Sequence, residues 1–249
     1  MELRLSQLRP ALKKLKAKML FGVLSGAHAY GFASPDSDLD LRACHVLPTK
    51  ALLGLRKPRD IIERKLELEQ KAELVSYELE KFLSLMLKPN GNVLENLFAP
   101  LVIVSSQRHA RLKVLAKHCI CKAIYHHYRG LAWQIWSRFV LKPRALVKHH
   151  LYVLRALMAG IYVLERGKIV PDMLALNRKF KLQIIDRLIE LKRTEKAALI
   201  DRALEKESKA AIEMLFRQLD QARAMSRLPE RANPRPLDRF LIKIRLEEL

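Results

Sequence analysis

The stretch Ser25–Arg42, with the sequence SGAHAYGFASPDSDLDLR, decides the interpretation of the fold. The apolar residues 21–24 precede it and are typical of a buried strand that ends at Gly26. Near the other end of the stretch, residues 38–41 read DLDL and alternate charged and apolar side chains with the period of a strand. The stretch therefore predicts two strands joined by a turn.

Two carboxylates lie at alternate positions of the second strand, so Asp38 and Asp40 share one face. Acids placed this way repel each other unless a cation lies between them, and hard oxygen ligands suit Mg²⁺ or Mn²⁺. Gly26 and Gly31 lack a Cβ, which lets backbone amides approach a triphosphate closely. The pattern indicates a site for metal ions and phosphates.

The character of the chain changes near residue 110. Before that point, strand-like runs such as residues 39–46 and 71–77 alternate with helical ones, including a basic amphipathic helix over residues 3–19. Beyond it, nearly every segment has helical periodicity, for example residues 107–128, 144–166, 196–224 and 237–249. We therefore expect an α+β fold, with a mixed-sheet domain over residues 1–108 and an all-α domain over residues 109–249.

Positive charge is concentrated in the helical half of the 249-residue chain. Residues 1–110 hold 17 basic and 12 acidic side chains, whereas residues 111–249 hold 30 and 14, which gives net charges of +5 and +16. This distribution suggests that the helical half binds a polyanion, since neutralising phosphates releases counterions. A solvated basic surface without a partner is the alternative.

Cysteines and hydropathy indicate the compartment. The chain has three cysteines, Cys44, Cys119 and Cys121. So small and odd a number argues against a disulfide framework. No apolar run approaches the length of a membrane span, and the first residues lack the apolar core of a secretory signal. A cytoplasmic protein with no membrane partner is expected; its oligomeric state is left open.

The pattern of residues 25–42 resembles the signature of the DNA polymerase β-like nucleotidyltransferase superfamily, which is Gly-Ser, a later Gly and then Ser-Asp-x-Asp. Within it, the chain is most similar to the RlaP or YcgL-like nucleotidyltransferase family. That similarity extends to residues 76–98, SYELEKFLSLMLKPNGNVLENLF, and to a helical Lys-x-x-x-Tyr-x-x-Arg segment. The matching positions are Gly26, Gly31, Ser37, Asp38 and Asp40 in the signature, and Lys148, Tyr152 and Arg155 in the helical segment.

The resemblance implies a transferase that moves a nucleoside monophosphate from a nucleoside triphosphate, such as ATP, to a hydroxyl, with pyrophosphate leaving. Two Mg²⁺ or Mn²⁺ ions are implied as cofactors. One departure from the family bears directly on phosphate binding: Ala27 stands where a serine hydroxyl is expected to bind a phosphate oxygen. The departure raises the alternative of a weakened catalyst.

Two-metal chemistry needs a third acid beside Asp38 and Asp40. Glu73 lies on the alternating segment 71–77, and Glu78 follows where a helix begins. Position on a strand favours Glu73 as the third catalytic and metal-binding carboxylate. Glu78 is better explained as a helix cap.

Other side chains near the motif are candidates for nucleotide or phosphate binding, each with a structural alternative. Arg42 either neutralises leaving-group charge or pairs with the acids, and Ser37 either orients Asp38 or caps the turn. His28 flanks the turn, and Lys81 lies one helical turn beyond Glu78, where a solvated lysine is equally expected.

The segment around residue 90 resembles the family's Asn-Pro-x-x-x-Glu through Asn90, Asn92 and Glu95, with Gly91 in place of the proline. Capping of a helix explains Asn92 without any ligand.

Lys148, Tyr152 and Arg155 are spaced i, i+4 and i+7, so they follow one helix face. Directed into a cleft, they would clamp phosphates and stack on a base; directed outward, they would be ordinary surface residues. The resemblance favours the cleft.

Three functional hypotheses follow. The favoured one is a transferase acting on the end of a nucleic acid, with RNA preferred because the helical half is basic. The second is nucleotidylation of a protein or small molecule, as in antitoxin-like members of the superfamily. The third is a nucleotide- and nucleic-acid-binding module in which Ala27 has weakened catalysis.

Overall fold

The computed structural model describes residues 5–13, 15, 17–68, 70–143, 145–194 and 198–249. It contains two compact units. The sheet unit groups Met1–Ala29, Asp38–Cys119 and Ala232–Leu249, and the helical unit groups Tyr30–Ser37 and Ile120–Arg231. Compared with the single boundary expected after residue 108, both units are discontinuous in sequence.

Five strands form the sheet of the sheet unit: β1 (Lys18–Leu24), β2 (Leu39–Val46), β3 (Ile61–Leu66), β4 (Ala72–Glu78) and β5 (Leu101–Val104). Their order is β3-β4-β2-β1-β5. β2 and β4 are parallel, whereas the other neighbours are antiparallel. The expected mixed sheet is therefore confirmed, and the α+β fold class with it.

One face of the sheet packs against the short N-terminal elements, a 3-10 helix over Leu5–Leu8 and α1 (Arg9–Lys13). Leu12 presses on Gly22 of β1 so closely that a Cβ there would lie 2.4 Å from the Leu12 Cδ1 atom. The predicted helix over residues 3–19 is wrong at its end, because Lys18 and Met19 pair with Val46 and His45 in the sheet. Residues 3, 4, 14 and 16 lie outside the described residues.

The opposite face carries α4 (Leu79–Leu87), α5 (Gly91–Leu97) and α6 (Gln107–Leu115), while the short helices α2 (Gly26–Tyr30) and α3 (Thr49–Leu53) follow β1 and β2. Phe21 of β1 meets Phe82 edge-on at 5.3 Å and stacks on His109 at 4.4 Å, measured between ring centroids. Asn90 caps α5 by accepting a hydrogen bond from the Val93 amide, so the capping residue is Asn90 and not Asn92.

The last helix, α12 (Arg235–Glu247), belongs to the sheet unit. Arg245 forms two hydrogen-bonded contacts of 2.8 Å with the Glu78 carboxylate, and the Thr49 hydroxyl donates to the Arg245 carbonyl oxygen. These long-range bonds fasten the chain's end to the sheet unit.

The helical unit contains α7 (Ile124–Ile135), which continues as a π-helical turn over Trp136–Val140, and then α8 (Val147–Arg166), α9 (Met173–Phe180), α10 (Ile184–Thr194) and α11 (Arg202–Met225). The single helix predicted over residues 107–128 is wrong, because α6 ends at Leu115 and α7 begins only at Ile124. The predicted starts at Arg144 and Lys196 fall on residues outside the described part of the chain.

α8 is the central helix of this unit, with most of its side chains buried. At Gly160, a Cβ would lie 2.8 Å from the Tyr128 Cβ atom, so the glycine allows α7 to pack closely. Gly167 ends α8 in a left-handed conformation that glycine adopts readily. Within the described residues, every helix is too short or too polar to cross a bilayer.

Candidate active site

Gly26 begins α2 directly beneath the carboxylate of Asp40. Its φ is +62°, and a Cβ at this position would lie 2.3 Å from the Asp40 Oδ2 atom. The Ser25 amide donates a 2.8 Å hydrogen bond to the Asp40 carbonyl oxygen, which fixes the turn against β2. Both the backbone conformation and the lack of space therefore require glycine.

Asp40 and Glu73 are paired residues of the parallel strands β2 and β4. Burial alternates along both strands, with Leu39 and Leu41 buried and Asp40 and Glu73 half-buried, so the two acids project from the same face. Asp38 immediately precedes β2. The structure therefore brings Asp40 and Glu73 together as strand neighbours, with Asp38 two residues from Asp40.

Arg42 forms an ion pair with Asp40, with 2.9 Å between its Nη2 atom and the Asp40 Oδ1 atom. Of the two interpretations offered for Arg42, the structure contains the ion pair. No three His, Cys, Asp or Glu side chains of the described residues are grouped so as to hold one metal ion. The Asp40 carboxylate is instead directed to the neighbouring guanidinium.

Ser37 and Ser34 close the turn before Asp38, within the helical unit. The Ser34 amide donates to the Ser37 hydroxyl at 2.9 Å, and the Ser37 amide donates to the Ser34 carbonyl oxygen at 3.0 Å. Ser37 thus makes the contacts of the capping interpretation, and its role in phosphate binding stays a prediction. A buried ammonium joins this turn, since Lys192 of α10 donates to the Ser34 hydroxyl at 2.6 Å.

Gly31 is held by the same helical unit. Its φ is +84°, and a Cβ there would lie 2.7 Å from the Oδ2 atom of Asp172, the residue that caps α9. Arg193 donates a 3.3 Å hydrogen bond to the Gly31 carbonyl oxygen. Like Gly26, this glycine has a positive φ that other residues rarely adopt, and a neighbouring carboxylate occupies the space beside it.

Tyr152 and Arg155 contact aromatic rings of residues 30–32. The Arg155 guanidinium lies 3.7 Å from the centroid of the Tyr30 ring, and Tyr152 meets Tyr30 and Phe32 edge-on. Arg155 is only 1% exposed, which differs from a cationic stripe on an open surface. Lys148 is half-buried at the start of α8, and its role in phosphate binding stays a prediction.

Glu78 has a structural role at the far end of β4. Its side chain caps α4 by accepting from the Glu80 amide, and it is 3% exposed in its pair with Arg245. Lys81 pairs with Asp60 at 3.2 Å. Glu78 lies five strand residues from Glu73, about 16 Å at roughly 3.3 Å per residue, so neither Glu78 nor Lys81 is brought to the acid pair.

Ala27 and His28 lie in the first turns of α2, and both are half-buried. The nearby hydroxyl of Ser25 donates to the Asn96 side chain at 2.7 Å in a buried contact. Ser25 is thus engaged elsewhere and does not replace the serine that the family has at position 27. The role of His28 stays a prediction.

Three residues near the motif were missed from the sequence: Asn96, Asp172 and Lys192. Asn96 lies within the family-like segment 76–98 and directly follows Glu95. Its place in that segment was a usable signal. Asp172 follows a proline and precedes a helix, which is a capping pattern. Lys192 carries no local signal, because a lysine in an amphipathic helix is ordinarily solvated.

A mixed sheet with two acids on adjacent strands is the arrangement expected of a polymerase β-like nucleotidyltransferase. The chain belongs to the RlaP family, the RNA repair pathway DNA polymerase beta family, whose model matches residues 2–243. The resemblance found in the sequence is confirmed by this match.

Two curated relatives are similar over part of their length, and both are described as uncharacterized proteins. MJ0002 of Methanocaldococcus jannaschii is 37% identical over 157 residues, which cover 61% of this chain and 63% of that protein. YcgL of Bacillus subtilis is 29% identical over 156 residues, which cover 62% and 59%. The matches thus span about three fifths of both relatives.

Two solved structures share low similarity with the chain. Spectinomycin adenyltransferase AAD(9) from Enterococcus faecialis, crystallised with ATP and spectinomycin, has a TM-score of 0.46 and 14% identity, covering 86% of this chain and 98% of that one. A nucleotidyltransferase-like protein from Exiguobacterium sibiricum has a TM-score of 0.31 and 12% identity, covering 97% and 78%. Similarity at this level carries neither substrate nor activity over to this chain.

Proposed function

We propose that this protein transfers a nucleoside monophosphate from a nucleoside triphosphate to a hydroxyl group at an RNA end. The hydroxyl oxygen forms a bond to the α-phosphorus, the bond from that phosphorus to the bridging oxygen breaks, and pyrophosphate leaves. The hydroxyl proton passes to a carboxylate of the site or to water.

The pairing of Asp40 with Glu73 across β2 and β4 carries this proposal. Two carboxylates on one sheet face, beside a glycine turn that admits no side chain, suit a polyphosphate and its counterions. An ordinary surface Asp-x-Asp turn would need neither the paired strand acid nor the glycine beneath it.

The chemistry of the donors suits divalent ions, because all three candidate ligands are hard carboxylates, although their side chains are not grouped around one point in the structure. Asp38, Asp40 and Glu73 would hold Mg²⁺ or Mn²⁺. When bound, such ions lower the pKa of the attacking hydroxyl and offset the charge of the triphosphate. Arg42 is the present partner of Asp40 and would be available to the phosphates once a cation replaced it.

Two observations favour RNA as the acceptor. The description of the family to which the chain belongs refers to an RNA repair pathway. Residues 111–249 hold 30 basic against 14 acidic side chains, an excess that favours binding to a polyanion.

The proposal is tested with each of the four nucleoside triphosphates labelled at the α-phosphate, incubated with Mg²⁺ and with RNA, DNA or protein. We expect label on RNA with the wild type and a loss of at least about a hundredfold with Asp40→Asn. Asp60→Asn is the matched control, since it removes an exposed carboxylate at the other end of β4. Equal transfer by wild type and Asp40→Asn contradicts the site, and label on protein alone contradicts the RNA acceptor.

A weakened catalyst is the second candidate, and Ala27 is the observation that favours it. A methyl group there cannot donate to a phosphate oxygen, and Ser25 is already bonded to Asn96. If the hydroxyl is what the site lacks, Ala27→Ser will raise the rate of pyrophosphate release about tenfold or more, the value of one hydrogen bond to a charged group. Ala33→Ser adds a hydroxyl outside α2 and serves as the control. An unchanged rate in Ala27→Ser removes the weakened-catalyst alternative.

A further inference from the structure

A groove of about 530 Å³ lies between α6 and α12 in the sheet unit, and we call it the α6–α12 groove. Arg108 of α6 closes one end through contacts of 2.8 Å with Glu247 and 2.7 Å with Glu248. At the other end, the Asn233 amide donates to the His118 carbonyl oxygen at 2.8 Å. The two helices are therefore antiparallel and joined at both ends, so the groove is formed before any ligand arrives.

The groove carries an excess of positive charge. Arg111, Arg239 and Lys243 line it and are exposed. No carboxylate of a described residue lies within ion-pair distance of Arg111 or Arg239, and Lys243 is 3.9 Å from Glu247, whose other oxygen already binds Arg108. The lining thus has three exposed cations and one carboxylate, Glu247, which Lys243 shares with Arg108.

An aromatic ring lies among these cations. Phe240 is half-buried in the lining between Arg239 and Lys243, with the buried Ile244 one helical turn further along α12. Cationic side chains that alternate with an accessible ring are the arrangement by which proteins hold single-stranded nucleic acids, with phosphates on the cations and a base on the ring.

The groove is separate from the candidate active site within the sheet unit. Glu248, next to the groove's Arg108, is bonded to Lys18 at the start of β1, whereas Asp40 adjoins Ser25 just beyond the end of β1. The six residue steps from Lys18 to Leu24 span roughly 20 Å at about 3.3 Å each. A mononucleotide in the groove would not reach the acids, but a polynucleotide is long enough to occupy both places.

We propose that the α6–α12 groove binds the backbone of a single-stranded RNA, with phosphates on Arg111, Arg239 and Lys243 and a base on Phe240. The inference extends the proposed function, because it gives the acceptor RNA an attachment point away from the reacting end. Charge complementarity selects the occupant: a phosphodiester chain supplies regularly spaced anions and aromatic bases together.

The test measures binding of a short fluorescein-labelled oligouridylate by anisotropy, at several KCl concentrations and without nucleoside triphosphate. Arg239→Ala/Lys243→Ala should weaken binding about tenfold, and the slope of log affinity against log salt should fall by about 1.4, since about 0.7 is lost per phosphate contact. Lys206→Ala/Arg217→Ala is the matched control, because it removes two exposed cations from α11. It should leave affinity within about twofold of the wild type, as expected of charges that contact no phosphate.

Phe240→Leu separates stacking from charge. It keeps the groove apolar but removes the ring, so affinity should fall about tenfold with the salt slope unchanged. Thermal melts of each variant establish that the fold is retained, which is expected for Arg239 and Lys243 because both are exposed.

If the two double variants weaken RNA binding equally, the inference is overturned, because the affinity would then depend on the overall charge of the protein and not on the groove. Polyglutamate that binds as tightly as the oligouridylate, through the same residues, also overturns it and identifies an acidic protein partner. The assay needs no catalysis and is repeated in Asp40→Asn. Groove-dependent RNA binding without any nucleotide transfer would retain this inference and reject the proposed function, and transfer with groove-independent binding would do the reverse.

Discussion

Asp40 of β2 and Glu73 of β4 are direct partners on two parallel strands. Glu78, the other acid considered for the same role, lies at the opposite end of β4 in a buried pair with Arg245. The two glutamates therefore lie at opposite ends of β4 and have different partners. The same substitution made at each position distinguishes a role in catalysis from a role in stability.

Glu73→Gln should abolish nucleotide transfer with little change in melting temperature, because Glu73 is half-buried and its proposed task is to hold a cation. Glu78→Gln should instead destabilise the fold by about 3 kcal/mol, since it leaves Arg245 without its buried carboxylate. The two variants are compared by urea unfolding and by transfer of α-labelled nucleotide. A fully active Glu73→Gln would contradict the assignment of the third acid.

Lys192 should order the turn that precedes Asp38. Replacing its ammonium in Lys192→Met removes the 2.6 Å hydrogen bond to Ser34, and the loss of a bond to a charged group should speed exchange of the Ser37 amide about tenfold or more. Amide hydrogen exchange is measured for Lys192→Met, Ser34→Ala and the double variant. If the two single effects simply add, the residues do not act through one shared contact.

Two helical glycines should respond in opposite directions to alanine. Gly160→Ala should destabilise the fold by about 1–3 kcal/mol, since the new Cβ would lie 2.8 Å from Tyr128 and 2.9 Å from Leu219. Gly130 lies in α7, and a Cβ there would meet no atom within 4 Å. Gly130→Ala should therefore stabilise the fold by about 0.5–1 kcal/mol. Urea unfolding of both variants checks the pair, and a stabilising Gly160→Ala would contradict the packing of α7 on α8.

Stability should fall as the pH drops below the ordinary histidine range. Burial lowers the pKa of His150 to about 4, and burial also lowers the pKa values of His45 and His109. Their neutral forms are favoured in the folded state, so their contribution is fully present above the unfolded pKa of about 6.5 and is lost as the pH falls toward about 4.

For His150 alone, the free energy of unfolding should change by at most about 1.4 kcal/mol per pH unit in that window. His150→Gln removes one titrating group and should make the profile shallower. The measurement is urea unfolding of wild type and variant at several pH values between about 7 and about 4. Parallel profiles would show that His150 does not take up a proton preferentially on unfolding.

Local pattern determined the strands of the candidate site. The alternation of residues 38–41 and 71–77 predicts β2 and β4 and the faces of Asp40 and Glu73, because side-chain direction along a strand follows from the backbone itself. The same reasoning identified Glu78 as a cap. It failed for residues 3–19, where helical periodicity continues into residues that belong to β1.

Contacts between residues far apart in the sequence could not be predicted from local pattern. Residues 101–104 form the edge strand β5 only because they pair with β1, and α12 returns to the sheet unit through the bond of Arg245 to Glu78. No short window contains both partners of such a contact, so no local pattern reveals it.

Neighbouring residues were enough to predict a glycine turn followed by alternating acids on a strand, because φ preferences and strand periodicity are local properties. The likeness of this stretch to the polymerase β-like signature indicated the family, which the family match confirms. Three features became visible once distant segments were packed together: the pairing of Asp40 with Glu73, the bond from Lys192 to Ser34, and the basic groove between α6 and α12. These contacts depend on which distant apolar faces are buried together, and that is settled when the whole chain folds.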